Sequence, residues 1–454
     1  MLEALPGAWR RRNTHAQVWA LALPMILSNL TVPLVALVGS TVVGHLPHAW
    51  QLGAVALALS FYTLVVSVSG FLRMGTTGLA AQAAGRDDAR ALRRILLQSL
   101  TLAALLSGVL AGAAWPLAQL AFAHMHISDA LHVAAQSFLG LRLWGLPGML
   151  VQFVLVGWFL GRQDARTPLA IMWFTNGINI VLTPALVLGM DMGIAGAAVA
   201  GIAAEYLGAA MGLWRARRWL AGDARSTLDR AGFLAWQHWH PLLAINRDIF
   251  LRTLALEIVF LGVAMRGAQL GDAVVAANAL LLNGLRFASH ALDGLAHAVE
   301  ALCGRAIGRG DRQALLAVLV VAGGWSLMIS LVFSLVFLAL GQNFIDLQTD
   351  LPAVRAAAAD YLPWLALLPV VAVWSYLLDG LFIGATRARE MRDAMLVSLL
   401  LTLPLAWWWQ GLGNHGLWMA LLAFMAWRAL SLGWVAWRLA RRDAWVGAAA
   451  ATAT

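Results

Sequence analysis

The feature that most constrains this chain is a succession of about twelve apolar stretches, each long enough to cross a bilayer as a helix, which takes roughly 20 residues. They fall near 17–44, 51–82, 93–123, 131–160, 167–190, 193–214, 242–266, 272–302, 313–341, 356–384, 391–411 and 414–437. No soluble fold of this length hides that much apolar surface, because its surface-to-volume ratio leaves too much skin to cover. Charged residues make up 12% of the chain, where a soluble domain has about 25%. Disorder is excluded on the same ground. The chain reads as an all-α integral membrane protein. Pro24, Pro33, Pro147, Pro184 and Pro369 are expected to break the spans they fall in, which neighbouring helices make tolerable.

Charge supplies the orientation. The formal net charge is +9, and all 31 basic residues are Arg. They cluster in short segments between apolar stretches, which argues against a nucleic-acid surface and for a topology signal. Arg10–Arg12, Arg86–Arg94, Arg162, Arg166, Arg215–Arg230, Arg305–Arg312, Arg387–Arg392 and Arg438–Arg442 hold 23 of the 31 on one side. The opposite loops hold Arg266 and Arg355 with Asp129, Asp191, Asp346 and Asp350. Positive charge stays inside, so both termini are expected in the cytoplasm, in agreement with an even number of spans. The stretch behind Arg10–Arg12 is too long for the apolar region of a cleavable signal and reads as a retained first span. The lone Cys303 excludes an intrachain disulfide and a cysteine-only metal site. Without Lys no phosphate-binding loop of the Walker type is possible, so the chain alone is not expected to use ATP.

An internal repeat gives the organisation. Gly85-Arg86-Asp87-Asp88-Ala89-Arg90-Ala91-Leu92 returns as Gly308-Arg309-Gly310-Asp311-Arg312-Gln313-Ala314-Leu315, an offset of 223. The same offset relates Gly157, Gly161, Ala165 and Arg166 to Gly380, Gly384, Ala388 and Arg389. Each pair sits at the cytoplasmic end of a corresponding span. The expected architecture is two six-helix lobes, 1–220 and 242–454, joined by a basic cytoplasmic linker at 221–241. Six spans is an even number, so both lobes insert the same way up and their pseudo-two-fold lies along the membrane normal. Such parallel repeats place a cavity between halves and work by rocking.

Several strings carry a family resemblance: Leu21-Ala22-Leu23-Pro24-Met25-Ile26, Val43-Gly44-His45-Leu46, Leu72-Arg73-Met74-Gly75-Thr76-Thr77-Gly78, Asn246-Arg247-Asp248-Ile249, Ala291-Leu292-Asp293-Gly294, Ala298-Val299-Glu300 and Leu378-Asp379-Gly380-Leu381-Phe382-Ile383-Gly384-Ala385-Thr386-Arg387. The chain resembles the MATE (multidrug and toxic compound extrusion) family, and within it the DinF-like branch, over nearly its whole length. The resemblance implies a cation-coupled antiporter, driven by proton or sodium, that exports amphipathic and often cationic organic compounds. It implies a monomer in the bacterial inner membrane whose partners are a small organic substrate, a coupling cation and lipid. No enzymatic activity, cofactor, metal or nucleic acid is expected. DinF-like proteins usually carry an acid in the first span and another in the fifth. Here Gly39 and Thr183 stand in those places, with Asn176 and Asn179 keeping the Asn-x-x-Asn motif. A family-type proton site in the first lobe is therefore expected to be absent, and Asn176, Asn179 and Thr183 remain as polar groups of its cavity.

A carboxylate within a span is costly and is usually functional or paired. Glu205, Glu257, Asp293, Glu300 and Asp379 are the candidates. In the eighth span Asn283, Arg286, His290, Asp293, His297 and Glu300 are spaced to share one helix face. A face this polar cannot meet lipid. It is either a proton or cation path, with His290 or His297 as relay, or an interhelical network in which Arg286 and the acids neutralise one another. Sodium-coupled transporters of the NorM type are similar to this chain in the seventh and tenth spans. That similarity implies coupling roles for Glu257 and Asp379, beside Asp293 and Glu300. The i, i+3 pairs His290/Asp293 and His297/Glu300 also fit half of a carboxylate-bridged metal site, but no second such helix completes one. The alternative function is a flippase-like exporter of a lipid-linked or amphiphilic precursor, which needs a cationic cavity where this chain offers acids.

Overall fold

A computed structural model describes residues 5–125, 127–222 and 230–445. Regular structure among these is entirely helical: α1 Leu5–Trp9, α2 Arg12–Gly44, α3 Ala49–Ser69, α4 Phe71–Gly85, α5 Ala89–Ala123, α6 Asp129–Leu143, α7 Leu146–Gly161, α8 Arg166–Pro184, α9 Gly193–Ala221, α10 Arg230–Leu234, α11 Trp236–Gln269, α12 Asp272–Arg309, α13 Arg312–Gln348, α14 Pro352–Gly384, α15 Ala388–Trp408 and α16 Gly413–Arg441. Every apolar stretch of the sequence coincides with a helix or a helix pair. Of the linker expected at 221–241, residues 223–229, with Arg225, lie outside the described residues.

Eight helical segments among the described residues are long and apolar enough to cross a membrane, or nine if the pair α6 and α7, bent by 46°, is one span. The chain is thus a multi-pass membrane protein. In that set α15 and α16 form a single run, Ala388–Arg441, and α11 and α12 are not included. Those two carry Arg247, Asp248, Arg252 and Glu257, and Arg286, Asp293 and Glu300. Charge put there for another purpose lowers their apolar character.

The prolines behave in two ways. Pro147 opens α7 just after the break at Trp144–Gly145, and Pro184 ends α8 ahead of a π-helical turn, Ala185–Gly189. Both interrupt their spans as expected. Pro24, Pro33 and Pro369 do not, because α2 and α14 run on through them. A helix absorbs a proline when the freed carbonyl finds another donor or the local turn widens.

Contacts divide the chain into two compact units: Met1–Ile26, Ala84–Arg86 and Ala244–Thr454 form one, and Leu27–Ala83 with Asp87–Leu243 the other. The first has a core around Leu281, Leu285, Phe337, Leu365, Trp418 and Phe424. The second is built around Tyr62, Phe122, Phe138, Leu139 and Leu146.

The 223-residue repeat reappears in local geometry. Asp88 caps α5 by accepting from the Ala91 N–H, and Asp311 caps α13 by accepting from the Ala314 N–H, each at 2.9 Å. A side-chain oxygen at this position satisfies a donor that the first helical turn leaves open. Asp87 and Gly310 both have left-handed backbone, as do Gln163 and Thr386. In the second unit α7 crosses α4 where Gly157 lies on the Arg73 carbonyl and Gly161 on that of Thr77. In the first unit α14 crosses α12 where Gly380 lies on the Ala296 carbonyl and Gly384 on that of Glu300. All of these pairs are 223 apart, so the matching residues make matching helix crossings.

Candidate functional site

The polar face of α12 is graded along its length. Asn283 and Arg286 are exposed, His290 and Asp293 are half-buried, and His297 and Glu300 are buried. The face is therefore open at the Asn283 end and closed at the Glu300 end. Gly294 lets this part of α12 lie against Ala22 and Ile26 of α2, within the same unit. Asn283 donates to Gln348 at 3.4 Å. The Ser289 hydroxyl, one turn before Asp293, hydrogen-bonds the Tyr376 phenol of α14 at 3.0 Å.

Three helices meet at Asp379. Arg428 of α16 donates from Nη2 to Asp379 Oδ2 at 2.8 Å, and Arg252 of α11 donates from its own Nη2 to the same oxygen. The three residues are 1%, 6% and 7% exposed, so water does little of the charge compensation. The other carboxylate oxygen, and Nε of each Arg, are buried without a hydrogen-bond partner among the described residues. Tyr376, one turn before Asp379 on α14, reaches Ser289 and so links this cluster to α12. Glu257, one and a half turns beyond Arg252 on α11, is half-buried. Between α11 and α15, Asp248 accepts from Arg392 at 2.7 Å, and within α11 from Arg247 at 3.0 Å.

The second unit also buries a charge pair. Arg142 of α6 donates to both oxygens of Glu205 on α9, at 2.8 and 2.6 Å. The Tyr62 hydroxyl donates to Glu205 Oε1 at 2.9 Å, and the Arg142 guanidinium stacks 4.1 Å from the Tyr62 ring. Gln152 of α7 donates to the Glu205 carbonyl at 2.7 Å and accepts from Thr175 of α8 at 3.1 Å. Every polar group of this network has a partner of the right polarity. Nearer α2, Asn176 donates to the Thr31 hydroxyl, and Thr183 donates to Asn179 at 3.1 Å. Gly39 is half-buried in α2, with open space where a side chain would begin.

The structure thus brings Asn283, Arg286, His290, Asp293, His297 and Glu300 onto one face, and joins Asp379 to them through Tyr376. It keeps Asn176, Asn179 and Thr183 in the other unit. Arg142, Arg252 and Arg428, with Tyr62 and Tyr376, were missed from sequence. A signal was available, since each Arg interrupts an apolar stretch and an ionisable group in a span is a candidate by default. Attention to acids alone passed over their partners. No group of three or more His, Cys, Asp or Glu side chains among the described residues is placed to hold a metal ion.

The MatE family model matches residues 24–185 and 249–408. The chain belongs to the MatE family. That family is one of transporters, not enzymes, and this chain is one of them. It is 43% identical over 447 residues to DNA damage-inducible protein F of Escherichia coli K12, covering 96% of this chain and 95% of that one. It is 28% identical to a probable multidrug resistance protein NorM of Rhizobium meliloti, with 93% of each chain covered. A solved MATE structure in a bent conformation superposes with a TM-score of 0.85 at 18% identity, over 96% of this chain and 97% of that one. At that identity the likeness is one of fold.

Proposed function

We propose that this MatE chain is a secondary active exporter of amphipathic organic cations, exchanged for protons or sodium across a bacterial inner membrane. The observation that carries the reading is the graded α12 face. It combines titratable groups with an opening at one end and closure at the other, as a site exposed to one side at a time requires. Asp293, Glu300 and Glu257 supply the negative charge for which substrate and coupling cation compete, and Asp379 bears on coupling through the two Arg it holds beside them. His290 and His297 stand in line as relays, with Arg286 and Asn283 at the mouth. A charge moved through the full membrane potential is worth ~2.3 kcal/mol per 100 mV, enough to bias an export step. The names of relatives, a multidrug resistance protein among them, support the substrate class.

On this reading the helices form twelve spans in two six-helix lobes, 1–220 and 242–454, with both termini cytoplasmic. The protein acts as a monomer without a cofactor, and Asn176, Asn179 and Thr183 contribute polar groups to the first lobe without carrying a proton. A flippase for an anionic lipid-linked precursor needs a cationic wall. Asp293 and Glu300 of α12 with Glu257 of α11 outnumber Arg286, which favours cations as cargo. Proteoliposomes loaded with ethidium and given a proton or a sodium gradient separately test this. Export driven by either gradient supports the reading, and export driven by neither overturns it.

A further inference from the structure

We infer that Asp293 is the carboxylate that exchanges the coupling proton, and that Asp379 is a fixed counter-ion that positions Arg252 and Arg428. This rests on the antiport reading and divides the roles within its site.

The two acids differ in what surrounds them. Asp379 is 7% exposed, and one of its oxygens accepts from two guanidinium groups on two other helices. A proton on Asp379 would leave two buried cations without the carboxylate that holds them, and an uncompensated buried charge is among the costliest things a protein interior can contain. The conformation of α11 and α16 around it therefore depends on Asp379 staying ionised. Asp293 stands at the border of the graded face, with His290 half-buried on one side and His297 buried on the other. A proton-exchanging group has to reach water in one state and lose it in another, and a border position allows that.

The surroundings make proton and organic cation compete there. On α14, Tyr376 hydrogen-bonds Ser289, one turn before Asp293, and stands one turn before Asp379, which Arg428 of α16 holds. On α11 the charged groups are Arg247 and Asp248, bound to each other, Arg252, bound to Asp379, then Glu257 and, near the helix end, Arg266. On α12 itself they are Arg286, His290, His297 and Glu300, with Asp272, Arg305 and Arg309 towards the helix ends. The segment Gln313–Gln342 of α13 and the segment Ala16–Gly44 of α2 contain no titratable side chain. Two Arg and one Asp fix the cluster at one positive charge. An ionised Asp293 offsets that charge, and a protonated Asp293 does not. An arriving organic cation is thus repelled while Asp293 carries its proton and accommodated once the proton has left. Glu300, buried at the closed end, is the next acid along the same face.

The test follows proton release when ethidium binds the purified chain in weakly buffered detergent, together with ethidium efflux from proteoliposomes under an imposed pH gradient. The wild-type chain is expected to release a proton on binding, with a defined pH midpoint. Asp293→Asn should release none and bind ethidium without pH dependence, and Asp293→Glu should restore release at a displaced midpoint. Arg252→Gln combined with Asp379→Asn preserves the net charge of the cluster but leaves Arg428 without its carboxylate, so Asp293→Glu, which touches neither Arg, is the guard against a folding defect. The double variant should slow efflux at least tenfold while the midpoint stays in place. Release that persists in Asp293→Asn, or a midpoint that moves in the double variant, overturns the assignment. Export driven by sodium but not by protons also overturns it and leaves the antiport reading standing, whereas export driven by neither ion removes both.

Discussion

Arg428 and Asp379 are joined across 2.8 Å between α16 and α14, and Arg252 shares the same carboxylate oxygen. One anion serving two buried cations makes the three positions unequal. Removing either Arg leaves a balanced pair. Removing the acid strands both guanidinium groups, and breaking a buried pair in that way costs roughly 3–5 kcal/mol. Asp379→Asn is therefore expected to lower thermal stability in detergent far more than Arg252→Gln. Equal losses in the two variants would show that the ion pairs are not what holds these helices.

The second unit offers the contrasting case. Arg142, Glu205 and Tyr62 form a closed network in which each group has its partner. Glu205→Gln or Arg142→Met alone should each destabilise by about 3–5 kcal/mol. Replacing both partners with apolar groups of similar volume, Arg142→Met with Glu205→Leu, should recover most of that loss, because buried pairs are often matched by well-packed apolar residues. Chemical unfolding of the four proteins checks it. A double variant as unstable as the singles would mean that this pair has a role beyond neutralising itself.

Much of this was legible in the sequence, for physical reasons that differ by feature. Spans were legible because a bilayer demands long apolar helices whatever the tertiary fold. The repeat was legible because turns and crossings constrain residue type locally. Asp88 and Asp311 cap helices, and Gly157 and Gly380 sit where two helices touch. The α12 face followed from helical period alone. Partner choice did not follow, since nothing local to Asp379 says that α11 and α16 will each bring an Arg to it. Glu205 and Arg428 show the limit most plainly. They stand 223 residues apart, at matching places on α9 and α16, with opposite charges. The repeat keeps a buried charge there, and in each unit an opposite charge meets it from the corresponding span, Arg142 of α6 in one and Asp379 of α14 in the other.

The glycine crossings give a prediction that depends on the repeat. A methyl group at Gly157 would meet the Arg73 carbonyl, and one at Gly380 the carbonyl of Ala296, while Gly177 and Gly262 face open space. Overpacking a close crossing costs typically 1–3 kcal/mol, whereas Gly→Ala at an open helical site gains up to about 1 kcal/mol. Gly157→Ala and Gly380→Ala should both lower the melting temperature, and Gly177→Ala and Gly262→Ala should leave it unchanged or raise it. A difference in sign between Gly157→Ala and Gly380→Ala would break the equivalence of the two crossings.

The last prediction concerns the contact between α1 and α13. The Trp325 indole N–H donates to His15 Nδ1 at 3.0 Å, and His15 Nε2 lies 2.6 Å from the Trp9 carbonyl oxygen. An indole N–H can only donate and a carbonyl can only accept, so the His15 proton belongs on Nε2. The Trp9 ring lies over Gly324, and Trp19 stacks edge-on against Trp325 at 5.1 Å. Trp325→Phe removes one hydrogen bond, worth about 1 kcal/mol, so amide exchange in Leu5–Trp9 should rise roughly fivefold. Nitrogen-15 spectra of His15 should show the Nε2–H tautomer. A ring protonated on Nδ1, or exchange indifferent to Trp325→Phe, would mean that this contact does not hold α1 in place.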